Sequence, residues 1–505
     1  MTGQFSYNLF DERWIPVLNV ESKLEEVSLS DILLKIDNYV EIKDNSPLFE
    51  YSIYRFLILL IMDVFQITSQ DDFESLYEDK KFDHGKIETY KQTWYNRFDL
   101  FHDTFPFYQT NLSFSNKDLK TISTLFHELP TGNNPVHFNH TLEDSHSIHP
   151  KICARALLTI PIFSLSGGRG YSPSINGTPP WYVIIKGKNL FETILFNLCF
   201  TPIEENSGTG KVQWKDDQID YSDNEVQTVS LLEGLCFKSR FLKLIPEKGS
   251  VCTYTGERSE IVVKNMYYKA GLKFSGIWRD PFVAYEMKND VTLIPKAGIK
   301  IWQNTGPLAF LTKDNTPGSI AYERPVNVSQ YDKIQHERIV GPNEGLIIKI
   351  YGIRTRQAKQ IEWQWEELKL PLEVIIIPNK GKIAQESMDI AMDVAKILRD
   401  SLYMIKALRK NHNLRNDIVN TYWNTLEPLF IESLLWNISN AAVDDINKLG
   451  EIKKDWTKQC CQIIEDIFQT NVSPINSTAV EIEDLIRAES SMKRKIYSLI
   501  QNINH

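Results

Sequence analysis

Past residue 382 the apolar positions recur at spacings of three and four, in four separate runs. The first holds Ala391, Ala395, Leu398, Leu402 and Ile405, and the second Ile418, Trp423, Leu426, Phe430 and Leu434. The third holds Ile446, Ile452, Trp456, Cys460, Ile463 and Ile467, and the fourth Leu485, Met492, Ile496 and Leu499. That spacing puts most of each run on one helical face. Four such segments joined by short polar loops predict an antiparallel four-helix bundle over 380–505. Thr478 and Glu481 form a capping box for the last helix, each side chain meeting an orphan amide of the first turn.

Residues 1–375 carry a different pattern. Short β-like runs at 181–185 and 346–351 alternate with apolar helical stretches and many Gly, Pro and Asn turns. The most apolar run, 56–62, lies between Arg55 and Asp63 and predicts a buried helix, being far too short to cross a bilayer. The two regimes meet at "PLEVIIIPNKGK", 371–382. The expected fold class is therefore α+β, a large irregular mixed N-terminal body followed by a C-terminal four-helix bundle.

Composition and charge narrow the function. A chain of 505 residues exceeds one compact core and divides into domains. The net charge of -9 argues against nonspecific coating of nucleic acid, which needs a dominant field of Lys and Arg. Any nucleic-acid role must rest on a few placed residues or on partners. The six cysteines are scattered, two of them adjacent, which does not resemble a disulfide framework. The first twenty residues lack a basic start followed by an apolar block. Together these predict a cytoplasmic protein with no membrane partner.

Four stretches carry residues with chemical potential. His102 and Asp103 match the His-Asp pair of a metal-dependent phosphohydrolase, but no further ligands follow at recognisable spacing, and a surface or packing role competes with catalysis. "HSIH" spaces His146 and His149 as a half zinc site; "CTYTG" then offers Cys252, with Thr255 where a second cysteine would complete the other half. Three ligands of four make a weak metal signal beside plain polar turns. "SLSGGRGYSPSINGTPP", 164–180, gathers Gly167, Gly168, Gly170 and Gly177 around Arg169. It lacks the lysine of a phosphate-binding loop and the helix that would follow one, so it offers clearance for close approach rather than a nucleotide cradle. A bend shaped only by packing is the competing account.

Basic residues interleaved with aromatics occur at 266–281, with Lys269, Lys273 and Arg279, and at 350–365, with Arg354, Arg356, Gln357 and Lys359. These types touch phosphates and base edges, though solvated charge is the commoner explanation. A third set, Lys396, Arg399, Lys406, Arg409 and Lys410, is expected along the first bundle helix. Lys406, Arg409 and Lys410 are its candidates for DNA contact, against an ordinary solvated face.

Six landmarks in order, "YNLFDERWIPV", "RFDLFHDTFPFYQT", "LPTGNNPVHFNH", the loop ending in "NGTPP", "YTG...GIW" and "GIRTRQA", are similar to those of the CasA family, the large subunit of the type I-E CRISPR complex Cascade. The resemblance implies a non-catalytic DNA-recognition subunit, working with the other Cascade subunits, the CRISPR RNA, double-stranded target DNA and a recruited helicase-nuclease, without a cofactor. By the same resemblance Gly167, Gly168 and Gly170 match the loop that abuts the minor groove of the protospacer-adjacent motif (PAM), and Arg169 within it is a departure that adds a charge to the candidate DNA contacts. Lys269, seven residues before Gly276, matches a lysine that enters that groove. Gly352, Arg354, Gln357 and Ala358 match a segment whose glutamine pries the duplex open, Arg356 being a departure that adds another charge to the candidate contacts, and Phe138 with Asn139 matches a loop that docks on the guide's 5' handle. Many relatives carry two C-x-x-C pairs, and this chain has His146, His149 and an incomplete "CTYT" instead. The competing functions are a metal-dependent nuclease built on His102 and Asp103, and a scaffold without DNA contact.

Overall fold

A computed structural model describes residues 5–129, 146–167, 170–217, 224–310, 322–340, 345–356, 359–443, 445–472 and 479–504. The body opens with a three-stranded antiparallel sheet of β1 (Ile15–Asn19), β2 (Leu24–Val27) and β3 (Tyr39–Ile42), with β1 in the middle. Helix α1 (Pro47–Phe65) follows and is buried from Pro47 through Asp63. The apolar run at 56–62 is thus the centre of a core helix, because a helix that is apolar all round has no solvent face to offer. Its two long charged members, Glu50 and Arg55, are paired, while the Ser52 hydroxyl and the Arg55 Nη2 are buried without a hydrogen-bond partner among the described residues. Arg55 meets Asp280 at 2.7 Å with both side chains essentially unexposed, and Glu50 accepts from Lys349 at 2.6 Å.

Strand β4 (Leu119–Thr121) precedes α2 (Pro150–Phe163), which packs along α1. Strand β5 (Tyr182–Lys186) comes next, then the long β6 (Arg240–Lys248) and β7 (Ile261–Ala270). A second sheet runs β4-β7-β6, all antiparallel. The hairpin β8 (Gly345–Arg356) and β9 (Lys359–Pro371) joins β5 in a third sheet of order β9-β8-β5. The β-like runs at 181–185 and 346–351 are therefore neighbours, pairing Ile347 with Lys186 through Tyr351 with Tyr182.

Helices take over after β9. Helix α3 (Pro378–Met404) is joined by α4 (Lys406–Lys410), α5 (His412–Pro428), α6 (Leu435–Asn440), α7 (Ile446–Ile467) and α8 (Ala479–Asn504). The long members α3, α5, α7 and α8 pack on one another, so all four apolar runs are helical. Two are interrupted in ways the spacing does not announce. Ile405 leaves the helical region (φ -85°, ψ 117°), so Lys406, Arg409 and Lys410 lie on a separate short helix rather than along the first bundle helix. Pro428 cannot donate to the ladder, and the backbone widens into a π-helical turn at Leu429–Leu434 before α6. The bundle is fastened to the body by Trp302, whose ring packs against Trp423 at 5.8 Å and Phe430 at 5.6 Å. The capping box at Thr478 and Glu481 lies outside the described residues. All six cysteines are buried free thiols, and no helix among the described residues is long and apolar enough to cross a membrane.

Candidate nucleic-acid interface

The glycine-rich loop leaves α2 at Ser164 and returns to β5, and its flanks are tied down by one guanidinium. Arg240, at the start of β6 and only 5% exposed, donates from Nη2 to the Leu165 carbonyl at 2.7 Å and from Nη1 to the Ser172 carbonyl at 2.6 Å. Nη1 also reaches the Ser239 carbonyl at 2.7 Å, and Nε donates to the Tyr268 hydroxyl at 3.0 Å. Tyr171, inside the loop, stacks on Tyr268 with ring centroids 5.9 Å apart and 19° between planes. Between these anchors Gly170 has φ +91°, a conformation that a β-carbon disfavours, and neither Gly167 nor Gly170 has a neighbour within 4 Å of where a Cβ would stand. The described glycines thus face open space on a loop whose ends are fixed. Gly168 and Arg169 lie outside the described residues.

Tyr268 connects the loop to Lys269. Both are on β7, where successive side chains alternate faces. Tyr268 shares the inward face with buried Met266, and Lys269 shares the other with Tyr267. There the Lys269 ammonium sits 5.2 Å from the Phe114 ring, which stacks on Tyr267 at 5.2 Å. Lys269 makes no ion pair at contact distance among the described residues, and beside the Ser115 hydrogen bonds its charge only helps to hold the nearby Asp118 carboxyl below its usual range, whereas the other basic candidates of 266–281 and 350–365 with described side chains are paired. Lys273 meets Glu225 at 3.3 Å, Arg354 meets Glu362 at 2.9 Å, and Arg279 is enclosed by Glu205, Asp290 and Glu323. The hydrogen bond from Arg354 helps hold the Glu362 carboxyl below its usual range. Electrostatically, then, Lys269 is available to an incoming anion, and Arg279 is already neutralised.

The "GIRTRQA" segment forms the end of β8. Arg354 pairs with Glu362, and the ladder continues past a bulge to Arg356 opposite Lys359. Gln357 and Ala358, which link those two strands, lie outside the described residues, as do Phe138 and Asn139. Two glycines of the landmark motifs have architectural duties. A Cβ on Gly352 would stand 2.5 Å from the Trp181 ring, and one on Gly276 would stand 1.6 Å from the Gln227 carbonyl oxygen. Both are places where backbone must approach closely.

The metal candidates are employed otherwise. His149 caps α2, its Nδ1 accepting from the Lys151 amide at 3.0 Å, and burial pulls its pKa down to about 4. Its own amide donates to the Cys252 sulfur at 3.3 Å, and His146 Nδ1 lies 3.4 Å from the Thr253 hydroxyl. The Thr255 hydroxyl lies 3.4 Å from a Glu257 carboxylate oxygen. His102 Nδ1 accepts from the amides of Thr104 and Phe105, closing a turn. Among the described residues no group of three His, Cys, Asp or Glu side chains is arranged to hold a metal ion. The residues at 146–149 and 252–255 therefore do not fit a zinc site.

At the bundle, Lys406, Arg409 and Lys410 are exposed on α4. Arg415, 4% exposed, braces this short helix from α5 by donating to the Leu408 and Arg409 carbonyls, with its guanidinium 4.0 Å from the Tyr403 ring. Arg240, Tyr171, Phe114 and Arg415 were not singled out from the sequence. The one signal for Arg240 is a basic residue opening the apolar strand "RFLKLI".

A mixed body with a helical C-terminal region is an architecture with known counterparts. The chain belongs to the CRISPR-associated protein Cse1 family, whose pattern matches residues 8–467. The CRISPR-associated protein CasA/Cse1 of Thermus thermophilus is 31% identical over 210 residues, which is 39% of this chain and 41% of that relative, so the alignment spans under half of its length. Cse1 of Thermobifida fusca has the same fold, with a TM-score of 0.77 at 17% identity over 98% of each chain. A chain in the structure of a CRISPR RNA-guided surveillance complex matches with a TM-score of 0.70 at 16% identity, over 96% of this chain and 99% of that one.

Proposed function

We propose that this protein is the duplex-sensing large subunit of a type I-E CRISPR surveillance complex, without catalysis of its own. Membership of the Cse1 family supports the assignment, and so does the fold shared with a chain of an RNA-guided surveillance complex. Its partners in this reading are the other Cascade subunits, the CRISPR RNA, double-stranded target DNA and a helicase-nuclease recruited to cut.

The observation that carries the reading is the arrangement along β7, where Tyr268 holds the glycine loop and the adjacent Lys269 makes no ion pair among the described residues. The loop backbone from Gly167 to Gly170 approaches the floor of the PAM minor groove, and Lys269 meets its acceptors. That groove presents a degenerate pattern, so a backbone and one ammonium read shape and acceptors and tolerate several sequences. Gln357, carried by the β8–β9 hairpin, then parts the adjoining base pair. Unstacking costs roughly a few kcal/mol per step, offset as guide pairing begins. A net charge of -9 suits a subunit that must sample and release many duplexes.

Reconstituted complexes carrying Lys269→Ala or Gly168→Asp test this directly. Loss of a charged hydrogen bond weakens PAM-dependent duplex binding by about 1.5–3 kcal/mol, roughly ten- to a hundredfold. Unchanged binding by both variants removes the site.

A further inference from the structure

Arg240 is a buried guanidinium whose four recorded hydrogen bonds all go to neutral oxygens: the carbonyls of Leu165, Ser172 and Ser239 and the hydroxyl of Tyr268. Buried charges are ordinarily matched by an opposite charge, because removing an ion from water is costly. No carboxylate lies within ion-pair distance of this one among the described residues, so carbonyl dipoles do that work. Four of its five N–H groups are committed, and the set is selective, since two carbonyls belong to the flanks of the glycine loop. Its guanidinium also sits 5.1 Å from the ring of Tyr171. Arg240 therefore contacts the glycine segment from both sides, touches the aromatic within it, and holds the tyrosine next to Lys269.

We infer that Arg240 is the positioning residue of the duplex-sensing site, fixing the glycine loop against the strand that presents Lys269, an inference that rests on the function proposed above. Gly167 and Gly170 make the loop easy to deform, and a loop of free glycines cannot by itself hold a set distance from a lysine. The fork of Arg240 supplies that distance. Lysine retains the charge but has neither the planar fork nor the reach to three carbonyls and a phenol at once. His127 feels the same charge, which together with burial lowers its pKa to about 4.

The test compares Arg240→Lys and Arg240→Gln with Lys269→Ala in the assembled, guide-loaded complex. Three quantities are read: amide exchange over 165–172, affinity for a single-stranded target complementary to the guide, and discrimination between duplexes with and without the PAM. Positioning predicts that both Arg240 variants speed exchange at least tenfold, bind single-stranded target normally and lose PAM discrimination tenfold or more. Rescue by lysine overturns the inference, as does unchanged exchange, or faster exchange with discrimination intact. Lys269→Ala separates the two levels. Its failure to alter discrimination strikes the proposed function, whereas its success beside a neutral Arg240 variant strikes only the positioning role. Should the Arg240 variants not enter the complex, Tyr171→Ala loosens the loop from its own side, and undiminished discrimination there overturns the inference equally.

Discussion

Glu366 of β9 and Glu427 of α5 share a hydrogen bond across the junction of body and bundle, and burial together with the second carboxylate raises the Glu366 pKa to about 7. Lys300 and the Trp302 backbone amide face the same carboxyl and only partly offset this. Trp302 is also the ring that packs on Trp423 and Phe430, so the pair sits beside the main apolar fastening of the two parts.

The direction of the pH effect follows. The folded chain holds a proton on Glu366 that the unfolded chain releases near 4.5, so this site's contribution to stability declines as pH rises from 4.5 through 7 and then levels off. Because the group is partly wet, the accumulated cost is on the order of 1–2 kcal/mol. Glu366→Gln removes it. Thermal melts should show the variant more stable than the parent at pH 8 and level with it near pH 5; an equal gain at both would show that titration is not the cause.

Gly276 leads into Trp278, whose ring lies against Gly234, and its missing β-carbon leaves room for the Gln227 carbonyl. The clash in Gly276→Ala is with backbone, which cannot swing aside as a side chain can. We expect a loss of about 1–3 kcal/mol, seen as a lower urea midpoint with unchanged slope. Gly170→Ala in the open loop should be milder, costing about 1 kcal/mol from its positive φ alone. The reverse order would mean that Gly276 is not a packing glycine.

How far the sequence discloses this molecule depends on the range of the interactions involved. The core helix is legible because every position of its central run 56–62 is apolar, and the bundle runs are legible because helical spacing is a local property. The break at Ile405 and the π turn after Pro428 are less so, since tertiary packing decides where a helix bends. At the site, local composition marks 266–281 as basic and aromatic, but it cannot say that Glu205, Asp290 and Glu323 close on Arg279 and leave Lys269 alone. Arg240 is hidden for the same reason: its partners at Leu165 and Ser172 are some seventy residues away in sequence.

The last prediction concerns strand separation. A wedge needs a braced support, and for the role proposed for Gln357 the β8–β9 hairpin offers one. Its ladder pairs Gly345 with Pro371 through Arg356 with Lys359, Gly352 sits against Trp181, and Arg354 is locked to Glu362 beside the bulge. Gln357→Ala removes the side chain proposed as the wedge, so under the proposed function the complex should still find PAM-bearing duplexes through Lys269 and the glycine loop. Permanganate reactivity of thymines beside the PAM should fall several-fold, while total duplex binding falls much less. Full reactivity in the variant would take the wedge away from Gln357, and an equal loss of both signals would place Gln357 in recognition instead of opening.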